Sequence, residues 1–173
     1  MSTTPRRISI MKKGETLSVD VDKKLDSPWE ERPYPITPPS EVITDRKHYY
    51  YLGWPSDGDQ LLEFCSPDHP IMTRGRHATA ASYLRSLSGY PFIHVVGAEP
   101  KTPEQKALAE EYEGIDFVAI WMSHPAHFRH YPTNGQVKKL SEIFGSEPVW
   151  YRDYHTKRNF FRHGIWAFDE AVL

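Results

Sequence analysis

Residues 115–122 read IDFVAIWM: seven apolar side chains interrupted only by Asp116, with Gly114 before the run and Ser123 after it. Eight residues rich in β-branched and aromatic types suit a strand better than a helix. Apolarity on both alternating faces predicts a strand covered on both sides, as in a parallel sheet flanked by helices. The reading of this run therefore sets the fold class for the chain.

The segments around it repeat one rhythm. TPEQKALAEEYEG, residues 102–114, starts a helix at Thr102, with Pro103 in the first turn and Gln105 completing a capping box. Glu104 suits the positive end of that helix, Leu108 and Tyr112 mark its apolar stripe, and Gly114 stops it. TNGQVKKLSEIFG, residues 133–145, repeats the logic, with Asn134 as cap, Val137, Leu140, Ile143 and Phe144 inward, and Gly145 as stop. Upstream, Thr73 is placed to cap a helix through HATAASYLRSLS, whose Ala80, Tyr83, Leu84 and Leu87 share a face before Gly89.

Three strands follow these helices: 92–97, 116–122 and 148–154. Strands separated by single helices are joined most simply by right-handed crossovers. The expectation is one α/β domain over residues 1–173 with a small parallel three-strand βαβ core. Residues 1–26 form an N-terminal hairpin, from the alternation of RISIM and TLSVDV about Gly14. Residues 27–46 form a proline-rich connection, and residues 47–173 form the α/β core. The hairpin and the aromatic strand KHYYYLGW at 47–54 are expected to extend the sheet as antiparallel edges, and QLLEFC at 60–65 reads as a strand or a short helix.

The totals bound the function. A chain of 173 residues with 39% hydrophobic and 25% charged side chains has enough apolar material for one core. A net charge of −2 argues against a protein built mainly to coat nucleic acid, while a local basic face stays open. The opening MSTTPRRISIMKKGE has no apolar segment of the secretory kind, and Cys65 is the single cysteine, so an intracellular, cytoplasmic setting is expected. No apolar run nears the roughly 18 residues of a membrane helix. Pro35 and Pro38 make a PxxP pair, which reads either as part of an extended connection or as a ligand for a proline-recognising partner.

In open α/β sheets ligands bind beyond the carboxyl ends of the strands. That rule gathers Glu99 from GAEP, Ser123, His124 and His127 from SHPAHFRH, and Arg152, Asp153 and His155 from YRDYH on one rim. Such a set performs acid–base chemistry with His124, His127, Asp153 and His155 and holds an anion with Arg152, Ser123 and Glu99 around it. A hydrolase- or lyase-type enzyme acting on a polar or anionic small molecule is the leading expectation. His124, His127 and His130 also raise a divalent metal such as zinc, with Glu99, Asp153 and His155 to complete the ligands. Pro125 and Pro132 interrupt any continuous helix across these histidines, so their three-residue spacing does not align the rings.

Other patterns carry less. Cys65 with Asp68 and His69 has the residue types of a thiol nucleophile, although its apolar neighbours suit a buried thiol. Arg74 and Arg76, just before a helix, are candidates to join a basic, aromatic face or to bind an anion at the rim. Asp116 followed by Gln136 and Lys138 resembles part of the PD-(D/E)xK nuclease pattern, whose second acidic residue is missing. WYRDYHTKRNFFRHGIW, residues 150–166, interleaves rings with Arg152, Lys157, Arg158 and Arg162. This is the composition of a surface for single-stranded nucleic acid, so the competing expectation is a non-catalytic interaction protein binding a protein or nucleic acid.

Overall fold

A computed structural model describes residues 7–12, 15–20, 30–64, 75–110 and 114–159. Strands β1 (Arg7–Lys12) and β2 (Glu15–Asp20) form an antiparallel hairpin, as the alternation predicts. The hairpin is a separate two-stranded sheet and does not extend the main one.

The main sheet has four strands: β3 (His48–Pro55), β4 (His94–Ala98), β5 (Ile115–Met122) and β6 (Val149–Thr156). Their order is β3-β5-β4-β6, and β6 returns to pair with β3, closing the sheet into a barrel. Every pairing is antiparallel. The expected parallel three-strand core is therefore corrected, and β3 is not an edge, because it sits between β5 and β6.

The physical reason lies in the connections. Helices α2 (Gly58–Glu63) and α3 (Gly75–Ser88) lie between β3 and β4 in the chain, and α5 (Asn134–Phe144) lies between β5 and β6. Each of these two strand pairs runs in one direction, but an antiparallel strand fills the gap within it: β5 between β3 and β4, and β3 between β5 and β6. This is the alternation of the ferredoxin-like split βαβ plan. Between β4 and β5, among the described residues, the only helix is α4 (Pro103–Ala109). Seven residues rise about 10 Å, and the chain turns back beside β4 instead of crossing the sheet.

IDFVAIWM is buried on both faces, as expected, but for another reason. Val118, Ile120 and Trp121 join the core shared with α3 and α5, among Trp54, Leu84, Leu140 and Phe144. Ile115, Phe117, Ala119 and Met122 pack inside the barrel with Tyr51, Val96 and Tyr151. Leu52 faces Trp121 while Gly53 faces Ala119, so Ile120 is the extra residue of a β-bulge. The bulge lets the consecutive residues Ile120 and Trp121 both reach the helical side. Gly53 is required there, since a Cβ would lie 1.9 Å from the Val118 carbonyl oxygen.

The helix signals carry over with one shift. Thr102 and Gln105 form the expected capping box of α4. On α5 the box is made by Thr133 and Gln136, and Asn134 is the first helical residue instead of the cap. Gly145 closes α5 at φ 67°, a conformation that favours glycine. GDQLLE is helical, which settles the reading of QLLEFC. The proline-rich connection holds a short helix, α1 (Ser40–Thr44). Its earlier part runs beside the start of α5: Pro33 bridges Thr133, and the Tyr34 N–H donates to the Pro132 carbonyl at 2.7 Å. Tyr34 and Ile36 pack on the helical core, so this part of the PxxP stretch is docked on its own domain. Among the described residues no helix is long and apolar enough to cross a membrane. Thr73, Arg74, Cys65, Asp68, His69, Arg162 and Tyr112 lie outside the described residues.

Candidate functional site

Antiparallel order disperses most of the residues expected on one rim. Ser123 closes β5 against β3: its N–H donates to the Tyr50 carbonyl, and its Oγ accepts the Tyr50 N–H, both at 2.9 Å. His124 packs edge-on against Tyr49, with centroids 5.0 Å apart. His127 ends a single 3-10 turn, Pro125–His127, and is buried against His94 with centroids 5.6 Å apart. His130 stacks on Phe92 at 4.0 Å. Each of the three histidines packs on a different ring, and His127 also meets His130 edge-on with centroids 6.4 Å apart. Among the described residues no group of three or more His, Cys, Asp or Glu side chains is arranged to hold a metal ion.

Glu99 and Arg152 do meet, across the seam where β4 joins β6. The guanidinium donates through Nε and Nη2 to the two carboxylate oxygens, a fork-to-fork pair. Its Nη1 lies 3.9 Å from Asp45, which also accepts from the Tyr50 hydroxyl at 3.2 Å and faces the His48 ring at 2.9 Å. Burial opposes ionisation of Asp45, but the Lys47 and His48 backbone donors and the His48 ring hold its carboxyl down at about 2. With its charge already paired, Arg152 reads as a staple of the barrel seam.

Asp153 and His155 share a different setting. Both project on the inner side of β6, Asp153 is buried, and its Oδ1 accepts the His155 N–H at 2.9 Å. Burial and the neighbouring Asp153 carboxylate push the Tyr51 phenol well above its ordinary range. These two residues line a cavity of about 710 Å³ that runs to the tops of α2 and α3.

The same cavity is also lined by Arg76, and by Asp116 and His77, which the expected rim did not include. Asp116, the one polar residue of IDFVAIWM, stands opposite Gly97, which contributes no side chain to cover it. His77 Nε2 lies 3.0 Å from Asp116 Oδ1, and Arg76 Nη2 lies 3.6 Å from Oδ2. Arg76 and His77 occupy the first turn of α3. The Ser56 N–H donates to the Asp116 carbonyl at 2.8 Å, placing the start of α2 and its cap Asp57 at the same wall. Arg76 was a candidate from the sequence, either for an anion at the rim or for a basic face. The signal for Asp116 was a carboxylate inside an apolar strand, while nothing local marked His77. Lys138 pairs with Glu30 and does not approach Asp116, so the residues of the nuclease-like spacing are not assembled.

Nothing matches the chain among protein-family models, curated proteins or solved structures.

Proposed function

We propose that the protein is an enzyme of hydrolase or lyase type, acting on a polar or anionic small molecule in the cavity walled by Asp116, His77 and Arg76. The observation that carries this reading is the 3.0 Å contact between His77 Nε2 and Asp116 Oδ1 on the wall of a 710 Å³ cavity. A carboxylate at Nε2 fixes the imidazole with that proton in place, leaving Nδ1 to exchange a proton with water or substrate. Arg76 supplies positive charge next to the pair, where an anionic substrate group would be held. Asp153 and His155 line the same cavity and add polar contacts for orientation. The acid–base role expected for His124 and His127 passes to His77, and the anchoring role expected for Arg152 passes to Arg76.

The test is turnover of a panel of small esters, lactones and phosphate- or carboxylate-bearing substrates by the full chain. His77→Gln should lower kcat about 10²–10⁴-fold on any substrate turned over, the usual range for a positioned acid or base. Arg76→Gln should raise KM with kcat little changed. Turnover unaffected by His77→Gln, or none across the panel together with no shift of the His77 ring resonances on adding the same compounds, would remove the reading.

A further inference from the structure

The fold creates a basic corner that neither contributing segment shows alone. Arg46 and Lys47 precede β3, while Lys157 and Arg158 follow β6. Closure of the barrel pairs His48 with Thr156, and the Lys157 N–H donates to the Lys47 carbonyl at 2.8 Å. The two cationic pairs are thereby fixed side by side. Arg46, Lys47 and Arg158 are exposed, and Lys157 lies with its ammonium 4.9 Å from the centre of the Tyr49 ring.

Neighbouring carboxylates do not cancel this charge. Among the described residues none of the four cations forms an ion pair. The nearest acid in sequence, Asp45, is engaged by His48 and Arg152, and Glu99 is taken by Arg152. The chain as a whole carries −2, so the surplus is local, and a local surplus of fixed cations attracts polyanions. Aromatic rings stand next to it. Tyr154 is 42% exposed on the outer side of β6 and meets His155 edge-on, with centroids 5.2 Å apart. Tyr154 stands two residues before the end of β6 at Thr156, and Lys157 and Arg158 follow in the turn, so the ring and the cations belong to the same end of the strand. Cations beside an exposed ring suit phosphates linked to unstacked bases, whereas a duplex keeps its bases out of reach of such a ring.

We propose that this corner binds single-stranded nucleic acid, with Arg46, Lys47, Lys157 and Arg158 meeting phosphates and Tyr154 stacking on a base. The four cations lie outside the lining of the cavity, while Tyr154 borders it through His155.

The test is fluorescence anisotropy of a labelled oligo-dT titrated with the full chain at 50 to 200 mM salt. Four phosphate contacts predict a log–log salt slope of about −2.8, or about fiftyfold weaker binding over that range. Arg158→Gln, an exposed substitution with little reason to disturb folding, should reduce the slope by about 0.7. The combined Arg46→Gln, Lys47→Gln, Lys157→Gln and Arg158→Gln variant should abolish binding while its melting temperature stays within a few degrees. Tyr154→Ala should weaken binding about tenfold with the slope unchanged. Heparin and phosphatidylserine vesicles separate the alternatives. Heparin binding as tightly as oligo-dT, with Tyr154→Ala silent, would show a polyanion surface without base recognition and overturn the assignment. So would binding to vesicles but not to oligo-dT, or no binding to any of the three.

Discussion

His127 packs its imidazole edge-on against that of His94, at an interplanar angle of 82°, with both rings buried between the loop after β5 and the start of β4. Arg85 borders the same spot. Its Nη2 lies 3.5 Å from His94 Nδ1, while Nε and Nη2 donate to the Ile93 carbonyl. Burial first, then His127 and the Arg85 charge, push the His94 pKa well below 6.5.

The sign of the resulting pH dependence follows. Below about 6.5 the unfolded chain takes up a proton at His94 that the folded chain refuses, so folding stability falls as the pH drops from there toward the depressed folded value. The melting temperature should be lower at pH 5.5 than at pH 7.5, and His94→Gln should narrow that difference. An equal difference in the variant would place the acid sensitivity elsewhere.

Asp45 responds in a lower window. Its carboxyl is held at about 2, against 3.8 for the free group. The stability it contributes is complete above 3.8 and is lost as the pH falls through about 2. A carboxyl ¹³C titration should put its midpoint near 2 and, in Arg152→Gln with His48→Gln, should move it toward the free value.

Gly53, the glycine of β3, has no room for a side chain. A methyl group there meets the Val118 carbonyl oxygen at 1.9 Å, so Gly53→Ala must separate β3 from β5. A loss of about 3 kcal/mol or more is expected by urea denaturation. Gly145→Ala strains only one left-handed residue at the end of α5 and should cost about 1–2 kcal/mol.

Trp54 stacks on Phe144 with centroids 4.9 Å apart, and its Nε1 donates to the Ser146 carbonyl at 2.7 Å. Trp54→Phe keeps an aromatic ring in the core but removes the hydrogen bond and leaves a gap. It should destabilise by about 1–3 kcal/mol in the same denaturation series.

Capping offers a sharper comparison, because sequence and structure name different residues on α5. Thr133, not Asn134, accepts the Gln136 N–H at 3.2 Å. Thr133→Ala should cost about 1 kcal/mol, matching Thr102→Ala at the equivalent position of α4. An unaffected Thr133→Ala would show that the box adds nothing to this helix.

Local chemistry determined much of this protein from the sequence alone. Thr102, Pro103 and Gln105 start a helix wherever they stand, because their donors and acceptors are satisfied within four residues. Alternation in RISIM and TLSVDV makes a hairpin, and the apolar run from Ile115 makes a strand buried on both faces. Strand neighbours were beyond that reach. An apolar strand looks the same whether helices cover both sides or a barrel closes over one, and helices between strands do not reveal that β3 and β5 slot into the gaps. Tertiary structure therefore decided direction and, with it, the site. Alternation along β6 turns Arg152 outward to Glu99 and Asp153 inward with His155, so these neighbours serve different surroundings. The same packing brought His77 on α3 against Asp116 on β5, and Lys47 against Lys157, because contacts between residues far apart in the chain are set by which surfaces pack together, a property no single segment carries.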